Sequence, residues 1–402
     1  MQASNTSLIS GRDIVVVGQQ PWDTEIGSNC KNIAAEMSKH NRVLYVNSPL
    51  DRITKYQNKS EPKVQRRIRV IKGEEDGLIL LQENLWNLYP DNLIESINWI
   101  KSQYIFEILN KLNNRSFALS ILKAIRKLGF RDVILFNDND IFRSFYLKDY
   151  LKPAVSVYYS RDYMLAVDYW KRHGEKLEYK LIMKSDVCTA NSTYLANYCA
   201  RYNPKSFYVG QGCELEMFTK ASETTTPDDL KSIPNPIIGY VGALQSLRLS
   251  IETIEHIAKS HPDWSVVLVG PEDDEFKRSN LHSIENIFFL GSKEPSQLPA
   301  YINAFDICIN PQIVSQVTIG NYPRKIDEYL AVGKPVVATD TEAMQIFNEH
   351  TYLAATKEDY VALIEKALLE DTSTLQEGRK LFASSHTWEN SVAEIYKAIL
   401  SK

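Results

Sequence analysis

Apolar and polar positions along this chain switch repeatedly between a strand-like and a helix-like period. Nearly unbroken apolar runs, DIVVVG at 13–18 and VLYVN at 43–47, predict buried strands, and residues 29–39 between them have helical spacing. This is a βαβ unit. Further strands are expected at 78–82, 132–136, 155–159 and 187–190, with helices at 94–112, 116–128, 175–185 and 192–201. A second series predicts strand 237–241, helix 249–260, strands 265–269 and 286–290, helix 295–303 and strand 306–309. It continues through NYPRKIDEYLAVGKPVVATD at 321–340, where Pro323 opens a helix, Gly333 and Pro335 close it, and Val336 to Ala338 form a strand. Strands separated by helices imply parallel sheets covered on both faces.

The patterning breaks at 214–236, a polar stretch rich in Thr, Ser, Asp and Pro, expected to be a linker. The chain therefore divides into a first domain, 1–213, and a second, 237–386. Apolar positions Trp388, Val392, Ile395, Tyr396 and Ile399 predict a terminal helix over 387–402, which completes the first domain.

Composition narrows the function classes. With 402 residues, 44% hydrophobic and 24% charged, the chain can bury two ordinary α/β cores. A formal net charge of −4 argues against nucleic acid as a partner. Five scattered cysteines without a CxxC pair fit a reducing cytoplasm. No apolar run approaches the roughly eighteen residues that span a bilayer, and the N-terminus lacks the basic and apolar regions of a secretory signal. The seven histidines form no HxH or HxxxH pair, so no metal site is expected.

Candidate chemistry concentrates in the second series. Thr318, Ile319, Gly320 and Asn321 precede the helix that Pro323 opens, where free N–H groups and the dipole favour phosphate. Glu328, about one and a half turns into that helix, can accept both hydroxyls of a ribose. Arg324 and Lys325 oppose the dipole unless an anion is near, which makes both informative as candidates for a bound phosphate. Gly242 and Ala243 follow a strand and are small enough for close backbone approach to a pyrophosphate, with Arg248 near in sequence. In the first series Trp22, Asp23, Gly27, Ser28 and Asn29 lie in a polar loop beyond a strand, a candidate for ligand contact. The basic stretch KVQRRIRVIKG at 63–73 is expected as a strand or hairpin, whose Arg66, Arg67 and Arg69 suit either an anionic membrane surface or a solvated edge. PEDDE at 271–275 is expected as a solvated loop.

These motifs resemble the glycosyltransferases of the GT-B fold, specifically the large retaining group called family 4. The resemblance is densest from Ile237 to Asp340, through IIGYVGALQSLRLSIETI, WSVVLVGP and NIFFLGSKEPSQLPAYINAFDICINP. It implies two Rossmann-like domains facing a cleft, with a nucleotide-sugar site in the second and the terminal helix crossing back to the first. Such enzymes carry two glutamates eight positions apart. Glu328 matches the second, which holds the ribose, whereas Gly320 stands at the first. The resemblance further implies base contacts near Ser292 and Lys293, and a first-domain aspartate near the reacting sugars, here Asp162. Catalysis would fall to Asp162, Arg248 and Lys325. No metal or other cofactor is implied, because the loop 318–321, Lys325 and Arg248 would stabilise the leaving diphosphate; the departing phosphate itself can take the acceptor proton, and the acceptor is implied at the first-domain loop with Trp22, Asp23, Ser28 and Asn29. Asp138 and Asp140 form a DxD similar to the metal signature of the GT-A architecture, but NDND is also strong turn chemistry. The implied function is transfer of a sugar to a glycan or lipid-linked saccharide in surface polysaccharide synthesis, in the cytoplasm or at the membrane's inner face. Two alternatives share the sequence features: a sugar-nucleotide epimerase of the same fold, and a non-catalytic nucleotide-sugar binding protein.

Overall fold

In a computed structural model, which describes residues 9–24, 28–221 and 224–402, the chain forms two compact units. One runs to Gly210 and includes Trp388–Lys402; the other is Gln211–Thr387. Among the described residues no helix is long and apolar enough to cross a membrane.

The first unit holds strands β1 (Asp13–Val17), β2 (Arg42–Val46), β3 (Leu50–Asp51), β4 (Leu78–Gln82), β5 (Leu85–Leu88), β6 (Leu93–Ile94), β7 (Ile134–Asp138), β8 (Val155–Ser160), β9 (Val187–Ala190) and β10 (Ser206–Tyr208). Eight of them make one sheet in the order β10-β9-β8-β7-β1-β2-β5-β4, with only β4 antiparallel to its neighbour. Its main helices are α1 (Asn29–Ser38), α2 (Arg52–Gln57), α3 (Pro62–Lys72), α4 (Gln103–Leu128), α5 (Leu147–Leu151), α6 (Asp168–Lys184) and α7 (Thr193–Ala200). The terminal helix Trp388–Leu400 buries Val392, Ile395, Tyr396 and Ile399 against Cys30, Ile33 and Met37 of α1. Tyr396 Oη accepts from Asn41 Nδ2 at 2.9 Å.

Two segments of this unit differ from the sequence expectation. Residues 63–73 are helical, not extended, because Val64, Ile68 and Ile71 recur at helical spacing and pack on Leu50. Pro62 opens that helix and Gly73, at φ +76°, closes it. The two helices expected at 94–112 and 116–128 are the single α4. Its polar middle looks like a break in sequence but hooks neighbouring loops. Asn113 binds the N–H and C=O of Glu95, while Asn114 donates to Phe142 O at 2.9 Å and accepts from the Tyr146 N–H.

The second unit contains β11 (Ile237–Val241), β12 (Ser265–Val269), β13 (Ile287–Gly291), β14 (Ile307–Asn310), β15 (Val336–Thr339) and β16 (Tyr352–Ala354). They form a wholly parallel sheet in the order β13-β12-β11-β14-β15-β16. Counted from β11 this is 3-2-1-4-5-6, the dinucleotide-binding order, whose ligand crevice opens beyond the carboxyl ends of the first and fourth strands. Around it lie α8 (Glu216–Thr219), α9 (Ile251–Ser260), α10 (Asp274–Arg278), α11 (Leu298–Ala304), α12 (Arg324–Val332), α13 (Lys357–Glu370) and α14 (Ser373–Ser384). The stretch 214–236 is not a bare tether. Leu215, Phe218, Leu230 and Ile233 are buried in this unit's core beside Tyr329 and Leu330. Their spacing among polar residues hides them from a reading of composition.

Candidate functional site

At the head of the second sheet, Gly242 leaves β11 at φ +143° while its N–H donates to Val269 O at 2.9 Å. A Cβ here would lie 2.8 Å from Lys325 Nζ and 3.0 Å from Tyr240 Oη. The missing side chain therefore makes room for the lysine head beside the bare strand end. Lys325 Nζ donates to Tyr240 Oη at 2.5 Å and stands 4.4 Å over that ring. Tyr329, one turn further along α12, ties the helix to the same strand end: its hydroxyl accepts from the Val241 N–H at 2.9 Å and donates to Val241 O at 3.3 Å.

The helix bearing these groups begins at Arg324, with Pro323 as its N-cap instead of its first residue. It stops at Gly333, φ +90°, whose N–H reaches Leu330 O while Lys334 N–H reaches Tyr329 O. Its two adjacent carboxylates have different surroundings. Asp327 is fully buried and accepts from Cys213 Sγ at 3.2 Å and from His386 Nδ1 at 2.5 Å, which fastens the helix to both segments. Glu328 is partly buried, with Arg324 Nη2 3.8 Å away. Burial pushes the Glu328 carboxyl above its usual range, opposed by the charges of Arg324 and Lys325.

The loop ahead of α12 differs from its expected role. The Thr318 and Ile319 N–H groups both donate to Ser315 O, and Asn321 N–H donates to Thr318 O. Thr318 Oγ1 turns inward, accepting from Ser315 N–H at 3.0 Å and donating to Ile313 O. These groups satisfy the loop itself, as a connection without sheet partners must, so the donors counted on for an anion at 318, 319 and 321 are committed. Gly320 is buried. What faces the strand end instead is Gly242, exposed Ala243 and Lys325.

Arg248 is exposed and makes no ion pair among the described residues, and its carbonyl accepts the Ile313 N–H at 2.8 Å. Two neighbours to which the sequence assigns no site role hold its loop. Asp273 accepts the Ser246 N–H and hydroxyl at 2.7 and 2.9 Å while capping α10, the short helix formed where PEDDE looked like a solvated loop. Gly270, at φ +153°, lets the chain after β12 pass directly beneath Gly242 O. Asp273 has an N-cap signature; Tyr240, Gly270 and Tyr329 sit within core-like runs and announce nothing. Ser292 is exposed, whereas Lys293 is spent on Asp229 at 2.7 Å, a carboxylate shared with the Tyr301 hydroxyl. The hydrogen bond to Asp229 raises the Lys293 pKa.

The first unit has its own polar centre where β1 and β7 end. Asp138 is fully buried, 2.9 Å from Arg161 Nε, and its Oδ2 accepts from Gln19 N–H at 3.4 Å. Burial raises the Asp138 pKa and the Arg161 charge opposes this. Asp140, also fully buried, accepts from Arg143 Nε at 2.9 Å and from the Phe142 and Arg143 N–H groups. Each half of the DxD thus has its own arginine. Asn139 between them, at φ +55°, accepts the Arg161 and Asp162 N–H groups, both at 3.0 Å. That fixes the backbone of Asp162, whose carboxylate is half exposed and 3.7 Å from Arg161 Nη1.

The other first-unit candidates are more structural. Trp22 packs edge-on against Tyr45 at 5.0 Å and its N–H donates to Asn47 Oδ1. Asp23 pairs with Arg67 at 3.2 Å. Ser28 is buried at the N-cap of α1 and Asn29 begins that helix; Gly27 lies outside the described residues. Arg66 and Arg69 share Glu75 and Arg67 holds Asp23, so the basic patch, suited to a membrane surface or to a solvated edge, is partly neutralised within the unit. Replacing Arg161 with Met is expected to cost about 3–5 kcal/mol, because it strands a buried carboxylate. That loss should deepen as pH rises and Asp138 must ionise unpaired. Urea unfolding across pH checks this, and wild-type stability in Arg161→Met would refute it.

Both units carry a parallel sheet with a polar centre at its carboxyl edge, and the whole has the GT-B fold. Sucrose-phosphate synthase from Thermosynechococcus elongatus aligns over 97% of this chain and 99% of its own, at 14% identity and a TM-score of 0.65. Anabaena HepE in complex with UDP aligns over 97% and 100%, at 12% identity and 0.66. The α,α-trehalose 6-phosphate synthase of Burkholderia multivorans aligns over 98% and 96%, at 10% and 0.64. These likenesses establish the fold alone. Residues 235–370 match the family described as Glycosyl transferases group 1, which covers β11 to α13 and hence Gly242, Lys325 and Glu328. A Bacillus subtilis (strain 168) protein provisionally named teichuronic acid biosynthesis glycosyltransferase TuaH is 27% identical over 231 residues. That alignment spans 55% of this chain and 58% of the relative.

Proposed function

We propose that this protein is a glycosyltransferase that moves a sugar from a nucleoside-diphosphate sugar to a hydroxyl of a glycan or lipid-linked saccharide in surface polysaccharide synthesis. The observation that carries the reading is the placement of Lys325 against Gly242 at the ligand crevice of a 3-2-1-4-5-6 sheet, with Glu328 one turn along the same helix. Backbone and ammonium receive the diphosphate; the carboxylate receives the ribose. Neighbours crystallised with UDP, and a relative named for teichuronic acid, support the donor class and the polymer class respectively.

In this reading the bond from the sugar's anomeric carbon to the diphosphate breaks and a bond to the acceptor oxygen forms. The acceptor proton passes to the departing phosphate, and the anomeric configuration is retained. Lys325 and Arg248 stabilise the charge that grows on the leaving group. Asp162 contacts the reacting sugars. No metal takes part, and the reaction occurs in the cytoplasm or at the inner membrane face, where the lipid-linked acceptor would present its sugar.

A thermal-shift series with UDP, GDP, dTDP and ADP, followed by nucleotide release from the matching sugars with and without glycan acceptors, tests this. Stabilisation by one nucleotide and acceptor-dependent release, unaffected by chelator, is the expected outcome. Isomerised donor would assign an epimerase, binding without turnover a binding protein, and no stabilisation by any nucleotide would end the donor assignment.

A further inference from the structure

Helix α4 is apolar on two sides. Its inner face, with Phe106, Phe117, Ile121 and Ala124, is buried in the first unit's cores. Its outer face carries Tyr104, Ile105, Ile108, Leu112 and Leu119, each between 45 and 74% exposed. At 100° per residue, positions 104, 108, 112 and 119 form one stripe about 22 Å long. A surface helix ordinarily places mostly charge there, and an apolar row interrupted only at Arg115 signals an interaction that isolated exposed leucines do not. Trp99, 66% exposed, sits in the turn leading into this helix.

The charges along the stripe say what should cover it. Lys101, Lys111 and Arg115 are exposed and pair with no acid among the described residues, whereas Glu107, the one acid in the first three turns, is bonded by Gln103. The arginines of α3 differ in that each has an acid partner, Arg66 and Arg69 sharing Glu75 and Arg67 holding Asp23. A second copy would, by two-fold symmetry, bring this stripe against itself, with one Glu107 from each copy set against three cations. An anionic bilayer complements both components: apolar side chains enter the acyl boundary, the indole and phenol rest at headgroup level, and the cations meet phosphates.

We propose that the outer face of α4, with Trp99, docks the first unit on an anionic lipid surface. The proposal does not depend on the donor or acceptor assignment. The full-length chain is expected to co-float with vesicles of phosphatidylcholine and phosphatidylglycerol, to float poorly with phosphatidylcholine alone, and to detach as salt rises. Lys111→Gln with Arg115→Gln should weaken partitioning roughly twenty-fivefold, about fivefold for each neutralised charge. Ile108→Glu with Leu112→Glu should abolish it, with the thermal midpoint unchanged because both positions are exposed. Arg66→Gln with Arg69→Gln should float like wild type. Failure of the wild-type chain to float, or undiminished flotation of Ile108→Glu with Leu112→Glu, would overturn the proposal. So would a dimer in light scattering that this pair disperses while vesicle binding stays absent.

Discussion

Replacing Glu328 with Gln is expected to weaken nucleotide binding about a hundredfold while leaving the second unit folded. A carboxylate that accepts two ribose hydroxyls makes hydrogen bonds worth roughly 1.5–3 kcal/mol each, and an amide keeps one acceptor without the charge, a loss of about 3 kcal/mol. The fold should tolerate the change, since Asp327, not Glu328, fastens α12 to Cys213 and His386. pH supplies a second readout. Burial holds the Glu328 proton more tightly in the folded chain than in the unfolded one, so wild-type affinity should climb as pH rises through that raised carboxylate range. Over the same range its contribution to stability falls, because the folded state gives up a proton it binds preferentially. Glu328→Gln should show neither slope. Titration calorimetry across pH decides the matter, and unchanged affinity in the variant would remove Glu328 from the ribose.

A large stability effect is also expected from Gly270→Ala. A Cβ at this position falls 2.0 Å from Gly242 O and 2.7 Å from its carbonyl carbon, both backbone atoms, and φ is +153°. Neither neighbour is a flexible side-chain end that can swing aside. Strain and backbone displacement together should cost about 3 kcal/mol or more, lowering the melting point of the second unit by about 10 °C. The displaced carbonyl belongs to Gly242, so nucleotide affinity should fall as well. Gly378→Ala, where the added carbon meets nothing within 4 Å, is the matched control. If both variants melt with wild type, the close approach of these two loops is not a constraint.

The sheets were legible because buried parallel strands are runs of Val, Ile and Leu that few other structures use. Strand positions such as 13–17, 237–241 and 265–269 agree within a residue or two. Helix limits were harder where polar residues serve the fold. Asn113 and Asn114 look like a break in α4 because their partners, at Glu95, Phe142 and Tyr146, are distant in sequence. The same difficulty affected the site. Glu328 and Lys325 announce themselves by their place in a punctuated helix, but whether an N–H is free depends on the loop's path, so the commitment of 318, 319 and 321 to local turns could not be read. Lys293 poses the converse problem: its partner Asp229 lies in a stretch that looked like linker.

The loop from Gly242 to Arg248 is held at four points by the chain's own groups. Leu244 N–H reaches Pro271 O, Ser246 is gripped by Asp273, Arg248 N–H returns to Gln245 O, and the Arg248 carbonyl receives Ile313. Nucleotide therefore meets a mouth whose conformational entropy was already surrendered when the chain folded. Little ordering remains to be charged against binding on this side, so the donor's arrival should be limited by diffusion and desolvation instead of loop rearrangement.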